Sequence, residues 1–139
     1  MADTLHQYAV KVIQGEIKIG HKTTPIGPGI YFTSVNVHNP WRHAVRYRFK
    51  LAASGSNGEP GKITEFKSAG LEPDAVTEYD YLGFTSLLGS LPAFLEGYFV
   101  IESEEELDVV GVYTGATAKD NFLGAMHMER VPARDVPIK

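Results

Sequence analysis

The stretch Ser34–Phe49, SVNVHNPWRHAVRYRF, decides how the rest of the chain is read. Two alternating apolar runs flank a Pro-Trp pair, with one histidine on each side of it, His38 and His43. Successive side chains of a strand point to opposite faces. Val35 and Val37 therefore share a face, and Ser34, Asn36 and His38 take the other. Val45, Tyr47 and Phe49 likewise share a face, opposite Arg46, Arg48 and Lys50. A hairpin that brings the two apolar sets together places Val37 opposite Val45. The loop is then Pro40–Arg42, with Asn39 and Pro40 in the first two positions of a type I turn, which both residue types favour. In that register His38 lies opposite Ala44 and His43 opposite Asn39, on different faces, so the two imidazoles diverge and do not chelate. Arg42 sits where such loops usually hold glycine. A four-residue loop would instead set His38 directly against His43.

The same alternation runs outward in both directions. YAVKVI puts Tyr8, Val10 and Val12 on one face. After Gln14-Gly15 the apolar positions become Ile17 and Ile19, so the phase changes at Gly15, as a bulge or tight turn would make it. HKTTPIGPG reads as loop, because Pro25 and Pro28 cannot donate to a ladder. IYFTSVNV and AVRYRFKLA are strands, SGSNGEPG is a turn, and a short strand follows in KITEF. GLEPDA is a further turn leading into VTEYDY. FTSLLGSLPAFL has room for a turn or two of helix, which Gly89 and Pro92 stop. GYFVIES and LDVVGVYT are apolar on both faces, as in strands covered twice. GAMHMERV is a last strand before a Pro-containing tail, residues 132–139.

With 139 residues, 43% hydrophobic and 22% charged, the chain has the size and composition of one folded domain. A chain of this length buries roughly 68–70% of its unfolded surface and needs no metal or disulfide to fold. The absence of cysteine excludes zinc-thiolate sites and thiol catalysis. MADTLHQYAV lacks the charged start and apolar run of a signal peptide, and no apolar stretch approaches the ~18 residues of a membrane-spanning helix. A cytoplasmic location is the expectation. A net charge of −4 argues against nucleic acid as partner. The expected fold is an all-β, antiparallel β-sandwich of seven to eight short strands with little helix, spanning 1–139 as one domain.

Arg46, Arg48 and Lys50 form a basic stripe, interleaved with Tyr31, Trp41 and Tyr47. Such a face suits an anion or a partner surface, but three charges are a weak footprint and a solvated strand face that discourages unwanted pairing is the plainer reading. Tyr31 and Tyr47 are expected in the core rather than as stacking platforms. ESEEELD, Glu102 through Asp108, gathers five carboxylates, but without the spacing of a calcium loop. It reads as a solvated acidic turn that is able to face a basic stripe on another copy. Glu78 and Asp80 alternate outward as a possible acid pair. His127, between Met126 and Met128, reads as a packed or interfacial side chain. No nucleophile elbow, HExxH or phosphate loop is present, and GSNGEPG precedes a strand rather than a helix.

YAVK, PGIYFTSVNVHNP, GYFVIESEEELDVVGVYT and the closing MERVP resemble a signature of small bacterial proteins of unknown function, and that resemblance implies no activity. More distantly, the order of a VNxxNP strand, a VIES strand and a following apolar strand is similar to the sensory rhodopsin transducer family. That likeness implies a small β-sandwich that forms homo-oligomers and acts by interaction. The chain departs from it in a longer N-terminal part and in the segment Leu82–Leu95.

The sequence thus predicts a non-enzymatic module that assembles with itself, needs no cofactor, and offers His38, Trp41, Arg46, Arg48 and Lys50 to another protein or to an anionic or carbohydrate ligand. The alternative is a metal-dependent or hydrolytic enzyme built on His38 and His43, or on His21 or His127, with nearby carboxylates.

Overall fold

The computed structural model describes residues 3–20, 26–117, 119 and 122–138. Ten strands and one helix follow in order: β1 (Thr4–Ile17), β2 (Gly29–His38), β3 (Val45–Ser54), β4 (Pro60–Ile63), β5 (Lys67–Leu71), β6 (Val76–Tyr79), α1 (Tyr81–Leu88), β7 (Phe94–Ser103), β8 (Asp108–Ala116), β9 (Leu123–Arg130) and β10 (Arg134–Pro137). Every ladder is antiparallel. The all-β class is therefore what the molecule has. Hydrogen bonding joins the strands into one continuous sheet rather than two separate ones, in the order β4-β3-β7-β1-β2-β8-β9. β5 pairs beside β3, β6 beside β2 and β10 beside β1.

This sheet folds over itself at Gly15. β1 pairs with β7 from His6 to Gly15 and with β2 only from Gly15 to Ile17. Burial along β1 follows even positions as far as Gln14 and then reappears at Ile17, which is the phase change expected from the sequence. Beyond this corner β1 and β2 splay apart. The buried Thr33 hydroxyl fills the gap, donating to the Ile13 carbonyl at 2.7 Å and accepting from the Ile13 N–H at 2.9 Å. A side chain thus replaces a missing ladder rung, which a buried backbone requires.

The fold brings β6, β2 and β8 opposite β3, β7 and β1 across one core. The Tyr79 ring of β6 lies 4.7 Å from Phe49 and 4.9 Å from Phe99, centroid to centroid. Tyr8, Val10, Val12, Leu51 and Ile101 meet Val35, Val37 and Val109 in the same cluster. Gly111 of β8 faces Val10 of β1, and a Cβ there would lie 3.1 Å from Val10 Cγ1. α1 closes one end. Asp80 caps it by accepting from Leu82 N–H at 3.0 Å, and Gly89, with φ 86°, ends it. Its one buried residue, Phe84, packs on Phe99.

Three expectations are corrected. The hairpin between β2 and β3 does not form: β2 pairs with β8, β6 and β1, while β3 pairs with β7, β5 and β4. Residues 39–44 instead cross from one half of the sheet to the other. Asn39 anchors this crossing rather than a type I turn. It is fully buried, its Nδ2 lies 2.9–3.2 Å from the carbonyls of His43, Leu71 and Glu72, and its Oδ1 accepts from Trp41 N–H at 2.8 Å. The strand count is ten, not seven or eight, because Lys67–Leu71 is a strand and because the tail is not loose. Arg134–Pro137 pairs with Thr4–Gln7. Asp80, read from the sequence beside Glu78, caps the helix N-terminus. Of the loop HKTTPIGPG, residues 21–25 lie outside the described residues, and His21 with them.

Candidate functional site

The Pro-Trp crossing and the acidic β7–β8 turn, which looked like separate features in the sequence, dock on each other. His38 at the end of β2 stands opposite Asp108 at the start of β8. Its Nδ1 lies 2.8 Å from Asp108 Oδ2 and its Nε2 2.7 Å from Asp74 Oδ1. The Trp41 indole donates to the Glu106 carbonyl at 2.6 Å. His43 Nε2 lies 2.5 Å from Glu105 Oε2, beneath the tilted Trp41 ring. The two histidines therefore hold different carboxylates. Both His38 nitrogens are taken by carboxylates on opposite sides of the ring, and among the described residues no three His, Asp or Glu side chains are grouped to hold a metal.

The electrostatics follow from these contacts. Hydrogen bonds to Asp74 and then to Asp108 hold the His38 pKa above its ordinary value. His38, followed by Arg130, holds Asp108 below the usual carboxylate range, with Arg130 Nη2 2.6 Å from Asp108 Oδ1. Charged partners favour the charged form of each.

The basic stripe is less free than its sequence suggests. Arg46, Arg48 and Lys50 do share the outward face of β3, but Arg48 spans the ladder to the buried Glu102 of β7. Its Nε and Nη2 donate to Oε1 at 3.0 and 2.6 Å, while Gln7 Nε2 donates to Oε2 at 2.7 Å. Arg48 and Lys50 also cover the Phe66 ring at 4.1 and 4.6 Å. Of the three, only Arg48 has an ion pair with a described residue, and Arg46 has neither an ion pair nor a ring contact among them. It lines a cleft of about 590 Å³ with Leu5, Tyr47, Arg48, Glu102 and Ile138. The acidic segment is not wholly a solvated turn: Glu102 is buried, and it meets the basic stripe of its own chain.

Tyr47 is core, as expected, its hydroxyl 2.5 Å from that of Tyr79, and burial pushes both phenols up. Tyr31 is half-buried and Trp41 partly exposed at the crossing. A second, smaller concavity of about 260 Å³ had no signal in the sequence reading. It lies on the outward face of β2 and β8, lined by Phe32, Ser34, Asp80, Tyr81, Val112 and Thr114.

An all-β chain with this sheet order has a structural likeness. A crystal structure from Thermotoga maritima, that of protein 1070, superposes with a TM-score of 0.54 over 94% of this chain and 92% of that one. The two sequences are 11% identical, so the likeness concerns the fold alone. No family model and no curated protein matches the chain. No helix among the described residues is long and apolar enough to cross a membrane.

Proposed function

We infer that this chain acts without catalysis, as an all-β protein that assembles with copies of itself and offers its surface to a partner. One observation carries the reading: the outward face of β2, β8 and β9 carries exposed apolar side chains around Phe32, Met126 and Met128. The sheet registers Phe32 with Thr114 and Met126, and Ser34 with Val112 and Met128. Phe32 is 42%, Met126 56% and Met128 60% exposed, and Tyr81 and Leu82 of α1 add exposed apolar surface. Contiguous apolar surface of this kind marks an interaction site. The opposite face of β2 and of the first half of β8 is core, through Val35, Val37 and Val109, whereas β9 is exposed on both faces. Light scattering across a concentration series tests the reading. A mass that is a multiple of the chain's supports it, and a monomer at every concentration sinks it.

A carbohydrate ligand is the second reading, favoured by the smaller concavity. There the Phe32 and Tyr81 rings stand beside the Asp80 carboxylate and the Ser34 and Thr114 hydroxyls. An apolar ring face with nearby acceptors and donors suits a sugar, whose own faces are divided in the same way. A glycan array with wild type and Phe32→Ala checks it: binding that survives the substitution, or no binding at all, removes this reading.

A further inference from the structure

Among the described residues β9 is the last strand on its side of the sheet, and its one ladder runs to β8. All eight of its residues, LGAMHMER, are exposed. An open edge presents unpaired N–H and C=O groups, which proteins commonly blunt with proline, lysine or a bulge. β9 contains neither residue, two methionines fill its middle, and the one register shift lies at its far end, opposite Gly115 and Ala116. We propose that this edge is an interface with a second copy of the chain, the two β9 strands pairing antiparallel about a two-fold axis at Met128. The proposal rests on the self-assembly reading and names its surface.

Charge selects the register. Two-fold symmetry makes the interface isologous, and directly opposed residues must point to the same face, so even positions meet even and odd meet odd. An axis at Glu129 sets two carboxylates against each other. An axis at His127 opposes two imidazoles. An axis at Met126 places Ala125 against His127 and Leu123 against Glu129, with no charge matched. An axis at Met128 pairs each His127 with Glu129 of the second copy, twice, and brings the two Met128 side chains together. Opposite charges facing across a ladder stabilise it and like charges do not. His127 and Glu129 already approach to 3.7 Å within one chain, with both side chains largely open to solvent. The same axis joins the apolar outward faces of the two copies into one surface.

The test uses the absence of cysteine. In Met128→Cys the single thiol lies on the axis, where opposed α-carbons are about 4.5–5.5 Å apart, within the roughly 4.4–6.8 Å that a disulfide spans. In Met126→Cys the two thiol-bearing residues are four positions out of step, about 13 Å apart. Mild oxidation followed by a non-reducing gel is expected to give a covalent dimer of M128C and none of M126C. Glu129→Lys is expected to raise the dissociation constant about tenfold, and the charge swap His127→Glu with Glu129→Lys to restore it, with unchanged far-ultraviolet dichroism. Preferential cross-linking of M126C overturns the register. Failure of both thiols and of the charge variants in a wild type that remains multimeric overturns the β9 interface while leaving self-assembly standing. A monomeric wild type overturns both.

Discussion

Gly15 approaches Ala93 so closely that a Cβ added to it would lie 2.1 Å from the Ala93 carbonyl oxygen. That carbonyl accepts from Glu16 N–H at 3.1 Å, so it cannot turn away without losing a bond. Gly15 also has φ 121°, a conformation L side chains rarely adopt. Gly15→Ala therefore strains the corner at which β1 passes from β7 to β2. The expected cost is at least about 2 kcal/mol, read as a Tm lower by on the order of 10 °C in thermal unfolding. Gly27, with open space around it and no positive φ, is the control, and Gly27→Ala is expected to change stability by less than about 0.5 kcal/mol.

The Arg48–Glu102 pair gives a second measurement. Glu102 is buried with every bond to its carboxylate supplied by Arg48 and Gln7. Arg48→Ala leaves the buried carboxylate without its cation and with Gln7 as its one donor, and is expected to cost about 1–3 kcal/mol in urea unfolding. Glu102→Gln alone is milder, since an amide keeps an acceptor oxygen. The double-mutant cycle should return a coupling of about 1 kcal/mol. Arg48→Lys is not expected to rescue, because an ammonium cannot reproduce the two-nitrogen contact or the flat stacking on Phe66. A coupling indistinguishable from zero would show that the pair is incidental to stability.

Face by face, the strands were legible, and the reason is physical. Val45, Tyr47, Phe49 and Leu51 are buried and alternate with residues that face outward, because one face of β3 covers the core. The same rule located the corner at Gly15, and glycine as a helix breaker located the stop of α1 at Gly89. Pairing was not legible, because partner choice is decided far away in the chain. Two of the three carbonyls that hold Asn39 belong to Leu71 and Glu72, and nothing within Ser34–Phe49 announces them. β5, KSAGL, buries only Leu71 and carries no alternation to read. The site follows the same division. Sequence placed His38 on the outward face of its strand, but its partners Asp74 and Asp108 lie 36 and 70 residues away. Glu102 looked solvated because its cation stands on a strand 54 residues earlier.

Phe84 tests how α1 is held. It is the helix's only buried residue, and its ring packs 6.0 Å from Phe99, which stacks in turn on Phe49 at 5.5 Å. An eight-residue helix is marginal without such packing. Phe84→Ala is expected to cost about 3–5 kcal/mol, whereas Leu82→Ala, on the exposed side, should cost less than about 1 kcal/mol. Hydrogen exchange localises the effect: amides of 81–88 should lose protection before those of β7. Equal losses for the two variants would mean that the helix is not anchored through Phe84.

The His38 clamp makes stability depend on pH in a direction that can be worked out. Its imidazolium donates to Asp74 and Asp108, and its folded pKa stands above the ordinary 6.5. A group with a raised folded pKa contributes fully below its unfolded value and loses that contribution as pH rises through the folded one. Asp108 stands below its ordinary 3.8, so its share is present above 3.8 and is lost as pH falls through the lower folded value. Together the contacts stabilise most between those two ordinary values and fade on either side. His38→Gln removes the charge, so the gap between wild type and variant should be widest near about pH 5 and shrink toward about pH 9. Urea unfolding at both pH values measures the gap, and an NMR titration of the His38 ring measures its cause. Asp74→Asn should lower the ring's titration midpoint, because the Asp74 bond is the larger contribution, and Arg130→Ala should raise the Asp108 midpoint. A His38 midpoint at or below 6.5 in the wild type would remove the electrostatic basis for the clamp.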